Sequence, residues 1–147
     1  MNANELMIGD LLKWKEQPGF NDEDRNMVLR VKNIFDDAIK IDGRFELYHI
    51  SLFEPIPLTP EILEKNGFGK VLDEDGTECY RYYNRAADGY IKISLYNGGD
   101  GDWGIEIVNY EKFDDNEIVY NNSFIFLTVH KLQHALRLCG IEKEIVL

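Results

Sequence analysis

The sequence has few cysteines and no long apolar run, and these two absences narrow the class of protein. Its 147 residues contain two cysteines, Cys79 and Cys139, which lie far apart and outside any C-x-x-C spacing. This pattern excludes a disulfide-stabilised scaffold and predicts free, buried thiols in a cytoplasmic protein. No apolar segment approaches the roughly 20 residues of a membrane-spanning helix, and residues 1–10 do not resemble a signal peptide. We therefore expect no membrane partner.

Basic residues are also scarce, since 16 Lys and Arg stand against 27 Asp and Glu and give a net charge of −11. A surface of this charge repels phosphate backbones, so nucleic acid is an unfavourable partner. A protein partner with a basic patch fits the charge better. One alternative uses the charge directly: the chain would be an acidic mimic of nucleic acid that inhibits a host DNA-binding enzyme.

Motifs of common catalytic sites are absent as well. The chain contains no G-x-S-x-G nucleophile turn and no G-x-x-x-x-G-K-[ST] phosphate loop. Neither cysteine lies in a recognisable active-site sequence. We therefore predict that the protein is not an enzyme and that it needs no cofactor.

Short alternating segments fill residues 1–56. In "MVLRVKNI" (27–34), Met27, Leu29 and Val31 share one side of a predicted strand. The pair Asp42-Gly43 separates two further strands, 38–43 and 44–50, and is a strong hairpin signal. Four or five such strands predict a small SH3-like β-barrel, because closing the sheet removes its exposed edges.

The proline-rich segment "EPIPLTP" predicts a boundary between an SH3-like subdomain, residues 1–56, and an α+β subdomain, residues 57–147. A short helix should follow it, with Thr59 as N-cap, Pro60 at the first helical position and Gly67 as the left-handed C′ residue. Phe68 supplies the apolar contact that commonly accompanies this kind of helix end.

Period-two alternation then returns and predicts an antiparallel meander, with strands at 78–84, 89–97, 103–110 and 117–127. A final helix, 129–139, is expected between Thr128 as N-cap and Gly140 as C′ residue. The predicted fold class is thus α+β and β-rich: an SH3-like barrel followed by a helix, an antiparallel sheet and a C-terminal helix.

Two histidines on the final helix, His130 and His134, are four residues apart and could chelate a metal ion. A zinc peptidase helix requires H-E-x-x-H, but Lys131 stands in the glutamate position here. At about 100° per residue, the apolar residues of this helix share one stripe: Val129, Leu132, Ala135, Leu136 and Cys139. Both histidines lie on nearly the opposite side, so we expect solvated or partner-facing side chains. A metal-dependent enzyme using this pair is the least favoured alternative.

Several tyrosines lie on two neighbouring predicted strands, where they could meet across the ladder. Three interpretations are open: ordinary packing, a surface for a protein or a second copy of the chain, and a base-stacking platform. The last is disfavoured because few basic residues lie nearby. The residues predicted for an interaction surface are Tyr80, Tyr82, Tyr90 and Tyr96, together with the two helix histidines.

Three stretches, "MIGDLLKW", "EPIPLTPEILEKNGF" and "VHKLQHALRLCGI", resemble in their order a family of small uncharacterised proteins from gut Bacteroidetes, found in prophages and other mobile elements. The most specific part is P-L-T-x-x-x-L-x-x-x-G-F, which spans residues 57–68 here. The family's V-H-x-L-Q pattern matches His130, whereas His134 lies outside it. The resemblance implies a cytosolic accessory protein of unknown activity and supplies no catalytic residues. The leading functional prediction is accordingly a non-catalytic protein-binding or adaptor module.

Overall fold

The computed structural model describes residues 5–86, 89–99, 102–111, 117–125 and 128–147. Within these residues the protein is α+β and β-rich, with two five-stranded antiparallel sheets and three short α-helices. The chain divides into two compact units. The first comprises residues 1–56 and 128–134, and the second comprises residues 57–127 and 135–147. The predicted subdomains share the boundary after residue 56 with these two units, but they place residues 128–134 in the C-terminal subdomain.

The first sheet has the strand order β4-β3-β2-β1-β5, so β1 lies between β2 and β5. Its elements are β1 (Leu11–Trp14), α1 (Asp22–Asn26), β2 (Val28–Ile34), β3 (Ala38–Ile41), β4 (Leu47–His49) and β5 (Phe53–Pro55). A 3₁₀ turn at Ile50–Leu52 joins β4 to β5, although these strands form opposite edges. A closed SH3-like barrel is therefore not confirmed: among the described strands, the ladder is open between its two edges.

Alternating side chains build the core of this unit. Leu29 and Val31 are buried and Met27 is half-buried, which confirms the predicted face of the second strand. Each fully buried aliphatic side chain contributes about 1.5–3 kcal/mol of transfer free energy. The core contains Leu6, Leu12, Leu29, Val31, Ile39, Ile41, Ile50 and Phe53. The turn at Asp42-Gly43 is also confirmed, since the Arg44 N–H donates to the Ile41 carbonyl at 3.2 Å and closes it.

The segment "QPGFNDEDRN" (17–26) is dense in turn formers and acids and predicts a loop, but this prediction is wrong for Asp22–Asn26, which form helix α1. The physical reason is a capping box. Asn21 Oδ1 accepts the Asp24 N–H at 2.8 Å, and Asp24 Oδ2 accepts the Asn21 N–H at 3.4 Å. Three acids in the first turn also favour the helix dipole.

The second sheet has the order β10-β9-β8-β7-β6 and forms an antiparallel meander. Its unit contains α2 (Pro60–Lys65), β6 (Gly69–Leu72), β7 (Glu78–Ala86), β8 (Gly89–Gly99), β9 (Asp102–Glu111) and β10 (Glu117–Ile125). Residues 126 and 127 of the predicted last strand lie outside the described residues. Strand β6 was not predicted, because its segment GKVL lacks a clear alternation.

The C-terminal segment is tied to α2 by one buried amide. Asn66 is 5% exposed; its side chain accepts the Val146 N–H at 2.9 Å and donates to the Val146 carbonyl at 2.7 Å. Elsewhere in this unit, Trp103 is buried and its indole N–H donates to the Leu58 carbonyl at 3.2 Å. These bonds satisfy polar groups that would otherwise be costly to bury.

Helix α3 (Val129–Leu138) supplies residues 129–134 to the first unit and residues 135–138 to the second. The Val129 N–H donates to the Ile56 carbonyl at 3.0 Å, which satisfies one free donor at the helix start. Gly140 has a φ of +70° and ends the helix as predicted. Cys79 is buried, but Cys139 is half-buried, so the prediction of two buried thiols is wrong for Cys139. In the described part of the chain, every helix is too short or too polar to cross a bilayer.

Helix α2 ends in the predicted cap. Gly67 has a φ of +79°, its N–H donates to the Glu64 carbonyl, and the Phe68 N–H donates to the Leu63 carbonyl, both at 3.0 Å. These two bonds form a Schellman motif, and Phe68 and Leu63 are both buried.

We expect Gly67→Ala to lower the free energy of unfolding by about 1 kcal/mol, because a Cβ disfavours the left-handed conformation. Gly69→Ala is the matched control, since Gly69 lies in β6 and an added Cβ meets no atom within 4 Å at either position. Urea unfolding of both variants measures the difference. Equal stability of the two variants would contradict this explanation of the helix end.

Candidate functional site

The expectation of solvated histidine side chains is wrong for His130, which is buried, whereas His134 is half-buried. His130 is 1% exposed, and the side chain of His134 is 18% exposed. Helical phase identified the apolar stripe correctly, since Val129 and Leu132 are fully buried. The opposite side of this helix segment is partly buried too, since His130 is buried and His134 half-buried, and the polarity pattern of a helix cannot reveal this.

Asp10 explains how a polar histidine face can be buried. Its carboxylate is 0% exposed and lies 2.8 and 3.0 Å from His134 Nε2 through its two oxygens. Asp10 Oδ2 also accepts the Met7 N–H at 2.8 Å. The two partners compensate the cost of removing a carboxylate from water. All of these residues belong to the first unit.

His130 is held differently from its neighbour. Its Nδ1 is hydrogen-bonded to Thr128 Oγ1 at 2.9 Å, so the predicted N-cap residue contacts this ring. Burial lowers the pKa of His130 to about 4, although the carboxylate of Asp10 opposes this shift. His130 is therefore neutral at physiological pH.

This arrangement does not favour metal binding by the pair. The two rings are 5.7 Å apart between centroids, and each contacts a polar partner, Thr128 for His130 and Asp10 for His134. Among the described residues, no three or more His, Cys, Asp or Glu side chains form a group that could hold a metal ion.

The predicted tyrosine surface is divided between the two faces of the second sheet. In the β7–β8 register Tyr82 pairs with Ile93 and Tyr80 with Leu95, so both tyrosines lie on the face with these buried residues. Tyr80 is only 7% exposed and cannot be part of an open interaction surface. Tyr90 and Tyr96 lie on the opposite face, because Tyr90 pairs with Arg85 and Tyr96 with Cys79.

On that opposite face, Tyr96 belongs to a polar network. Its hydroxyl donates to Asp73 Oδ2 at 2.7 Å, and Arg81 Nη2 donates to Asp73 Oδ1 at 2.6 Å. The bond from Tyr96 and the contact with Arg81 lower the pKa of Asp73 to about 2. Burial, together with the Asp73 carboxylate, raises the pKa of Tyr96 to about 12. The Tyr96 hydroxyl is thus hydrogen-bonded within the protein, and a structural role explains the network better than a binding role.

Three exposed or half-buried rings continue this face. Tyr90 stacks on Tyr110 with centroids 4.6 Å apart, and Tyr83 meets Tyr90 edge-on at 5.7 Å. Lys92 Nζ lies 5.4 Å from the Tyr110 centroid. The three rings and the ammonium group therefore contact one another, as in ordinary cross-strand packing.

An aromatic pocket in the first unit is the stronger candidate. Trp14 forms its centre: the ring stacks on Phe53 at 4.6 Å and meets Tyr48 and Phe20 edge-on, at 5.2 and 6.3 Å. The pocket has a volume of about 330 Å³. It is lined by Trp14, Gln17, Phe20, Asp24, Arg44, Tyr48 and Leu52.

Two charged residues complete the pocket. Asp24 comes from α1, and Arg44 comes from the turn between β3 and β4. The Arg44 guanidinium carbon lies 6.0 Å from the Trp14 ring centroid, within the range of a cation–π contact. The sequence prediction missed this pocket, because its walls come from separate segments between residues 14 and 52. The available signal was Trp14 itself, a large aromatic residue at the end of a strand.

Comparison of the chain with known protein families, curated proteins and solved structures finds no match. The geometry of the described residues is therefore the basis for assigning a function.

We expect the buried Asp10–His134 pair to be strongly coupled. Asp10→Asn should lower the free energy of unfolding by roughly 3 kcal/mol, because it leaves a half-buried histidine without its fully buried, charged partner. A double-mutant cycle with His134→Gln, measured by urea unfolding, gives the coupling energy, which should exceed about 1 kcal/mol.

Asp37 and His49 provide the matched control, since this pair also joins a carboxylate to a histidine Nε2, at 3.5 Å, but is exposed. The same cycle with Asp37→Asn and His49→Gln should give little or no coupling. Equal coupling in the two cycles would show that burial of Asp10 is not the decisive factor.

The lowered pKa of His130 predicts acid sensitivity. The unfolded chain takes up a proton near pH 6.5, whereas the folded protein does so only near pH 4, so stability is lost as the pH falls between these values. The loss should be roughly 3 kcal/mol. Urea unfolding at pH 7 and pH 4 measures it in the wild type, in His130→Gln and in the exposed control His49→Gln.

Only His130→Gln should reduce this pH dependence. An NMR titration of the His130 ring gives the pKa directly, and a value near 6.5 would contradict the prediction.

Proposed function

We propose that the protein is a non-catalytic protein-binding module and that the aromatic pocket around Trp14 is its binding site. The observation that carries this proposal is the convergence of Trp14, Phe20 and Tyr48 around an open pocket of about 330 Å³. Ligand pockets have volumes of about 300–1,000 Å³, so this pocket suits one side chain of a partner better than a large metabolite.

The strand order supports a finer proposal, that the first unit is an SH3-like small barrel. Strand β1 lies between β2 and β5, and a 3₁₀ turn joins the two edge strands β4 and β5. Aromatic grooves on such small β-folds commonly receive extended peptide segments. We therefore expect the partner to present a short linear segment, and a phage or mobile-element origin and a cytoplasmic location stay predictions.

The acidic mimic of nucleic acid is a weaker candidate. Mimicry of a phosphate backbone needs a continuous stripe of carboxylates, but several acids are paired with basic side chains. The pairs at 4.0 Å or less include Lys13–Glu54, Arg25–Glu16, Lys32–Asp42, Lys70–Glu78 and Lys92–Glu106. These interspersed cations weigh against mimicry and in favour of a protein partner.

A displayed peptide library tests the proposed function. Selected peptides should lose at least about tenfold in affinity for Phe20→Ala, because truncation removes one aromatic wall. Phe20 is half-buried and lies in a loop, so this variant should keep its fold, which circular dichroism checks.

Phe35→Ala is the matched control, since Phe35 is 50% exposed in the same unit and does not line the pocket. It should leave the affinity unchanged. Failure to enrich any peptide sequence, or peptides that bind Phe20→Ala as well as the wild type, would overturn the proposal.

A further inference from the structure

The chemistry of the pocket identifies the kind of side chain that it receives. Arg44 already places a guanidinium against Trp14, with 6.0 Å between its central carbon and the ring centroid. Its Nη2 is also 3.4 Å from Met27 Sδ. The pocket is thus occupied at one side by a planar cation from the same chain.

The shape of the walls favours a planar group. Phe20 and Tyr48 stand at 78° and 76° to the Trp14 ring plane, so the three rings form a corner with one flat side and two edges. A guanidinium can stack on a flat aromatic face and still donate hydrogen bonds in its own plane. A compact ammonium group cannot make both interactions in the same way.

The charge around the pocket favours a cation. Asp24 lies in the pocket wall and offers a carboxylate that can accept from a guanidinium. The neighbouring segment, residues 16–26, contains four acids and one arginine, Arg25. Such a surface attracts a basic segment and repels an acidic one.

We propose that the pocket binds an arginine side chain of the partner, and that Arg44 holds this position in the unbound protein. This inference rests on the proposed protein-binding function, and it adds both the chemical class of the ligand and an internal competitor. Because Arg44 must leave the Trp14 ring face before the partner's arginine can stack there, the apparent affinity is reduced according to the fraction of molecules in which this face is free.

The test uses N-acetyl-arginine amide as the probe and its neutral analogue N-acetyl-citrulline amide as the comparison, followed by NMR of the indole N–H groups. The arginine probe should shift the Trp14 signal in a saturable manner and leave Trp103 unchanged, because Trp103 is buried in the second unit. The citrulline probe should produce no saturable shift.

Two variants separate competition from a general charge effect. Arg44→Ala should bind the arginine probe at least about threefold more tightly, because the internal competitor is removed. Lys32→Ala removes the same charge from an exposed position outside the pocket and should leave the affinity unchanged.

The inference is overturned if the arginine probe gives no saturable shift in either the wild type or Arg44→Ala. It is also overturned if citrulline binds equally well, or if the two variants bind alike. Its failure is distinguishable from failure of the proposed function. Library peptides that need Phe20 but contain no arginine would refute the arginine site alone, whereas arginine binding without any selected peptide would refute the protein-binding function alone.

Discussion

The first unit depends on the hydrogen bonds of one buried carboxylate, that of Asp10. A carboxylate with no exposed surface costs several kcal/mol to desolvate, and it is tolerated because the Met7 N–H and His134 Nε2 both contact it. The two residues of the pair are 124 positions apart in the sequence. The unit is therefore discontinuous, and its polar anchor forms only when the C-terminal helix segment joins the first fifty-six residues. Contacts at such sequence separation slow folding more than they reduce stability.

Strand β1 connects this anchor to the pocket. Asp10 precedes the strand, and its carbonyl accepts the Val31 N–H at 2.9 Å, which fixes the start of the strand against β2. Trp14 ends the same strand and pairs in register with Phe53 of β5, on which it stacks. Trp14 thus rests on a fully buried core residue, and this wall of the pocket is held by the same strand as the anchor. A pocket wall on a rigid strand loses little conformational entropy when it contacts a ligand.

Local patterns in the sequence correctly predicted the features that depend on neighbouring residues only, such as helix caps, turns and the buried face of a strand. The α2 cap at Gly67, the turn at Asp42-Gly43 and the buried face of β2 follow from backbone preferences and period-two alternation, and all three are confirmed. Alternation also implies that adjacent residues such as Tyr82 and Tyr83 point to opposite faces. The sequence could not give the strand register, and the register separates Tyr80 and Tyr82 from Tyr90 and Tyr96.

The Asp10–His134 pair and the aromatic pocket both depend on contacts between segments that are separate in the sequence, and no local pattern contains such contacts. The helical period correctly placed His130 opposite the apolar stripe, but it could not show that Asp10, near the other end of the sequence, contacts His134 on this side. Composition likewise gave the net charge of −11 without its position. The fold places part of that charge next to the aromatic pocket, because the acids at 22–24 lie on α1 and Asp24 lines the pocket. The guanidinium of Arg44 already lies against the Trp14 ring there. This local acidity is the basis for the proposed preference of the pocket for a basic partner.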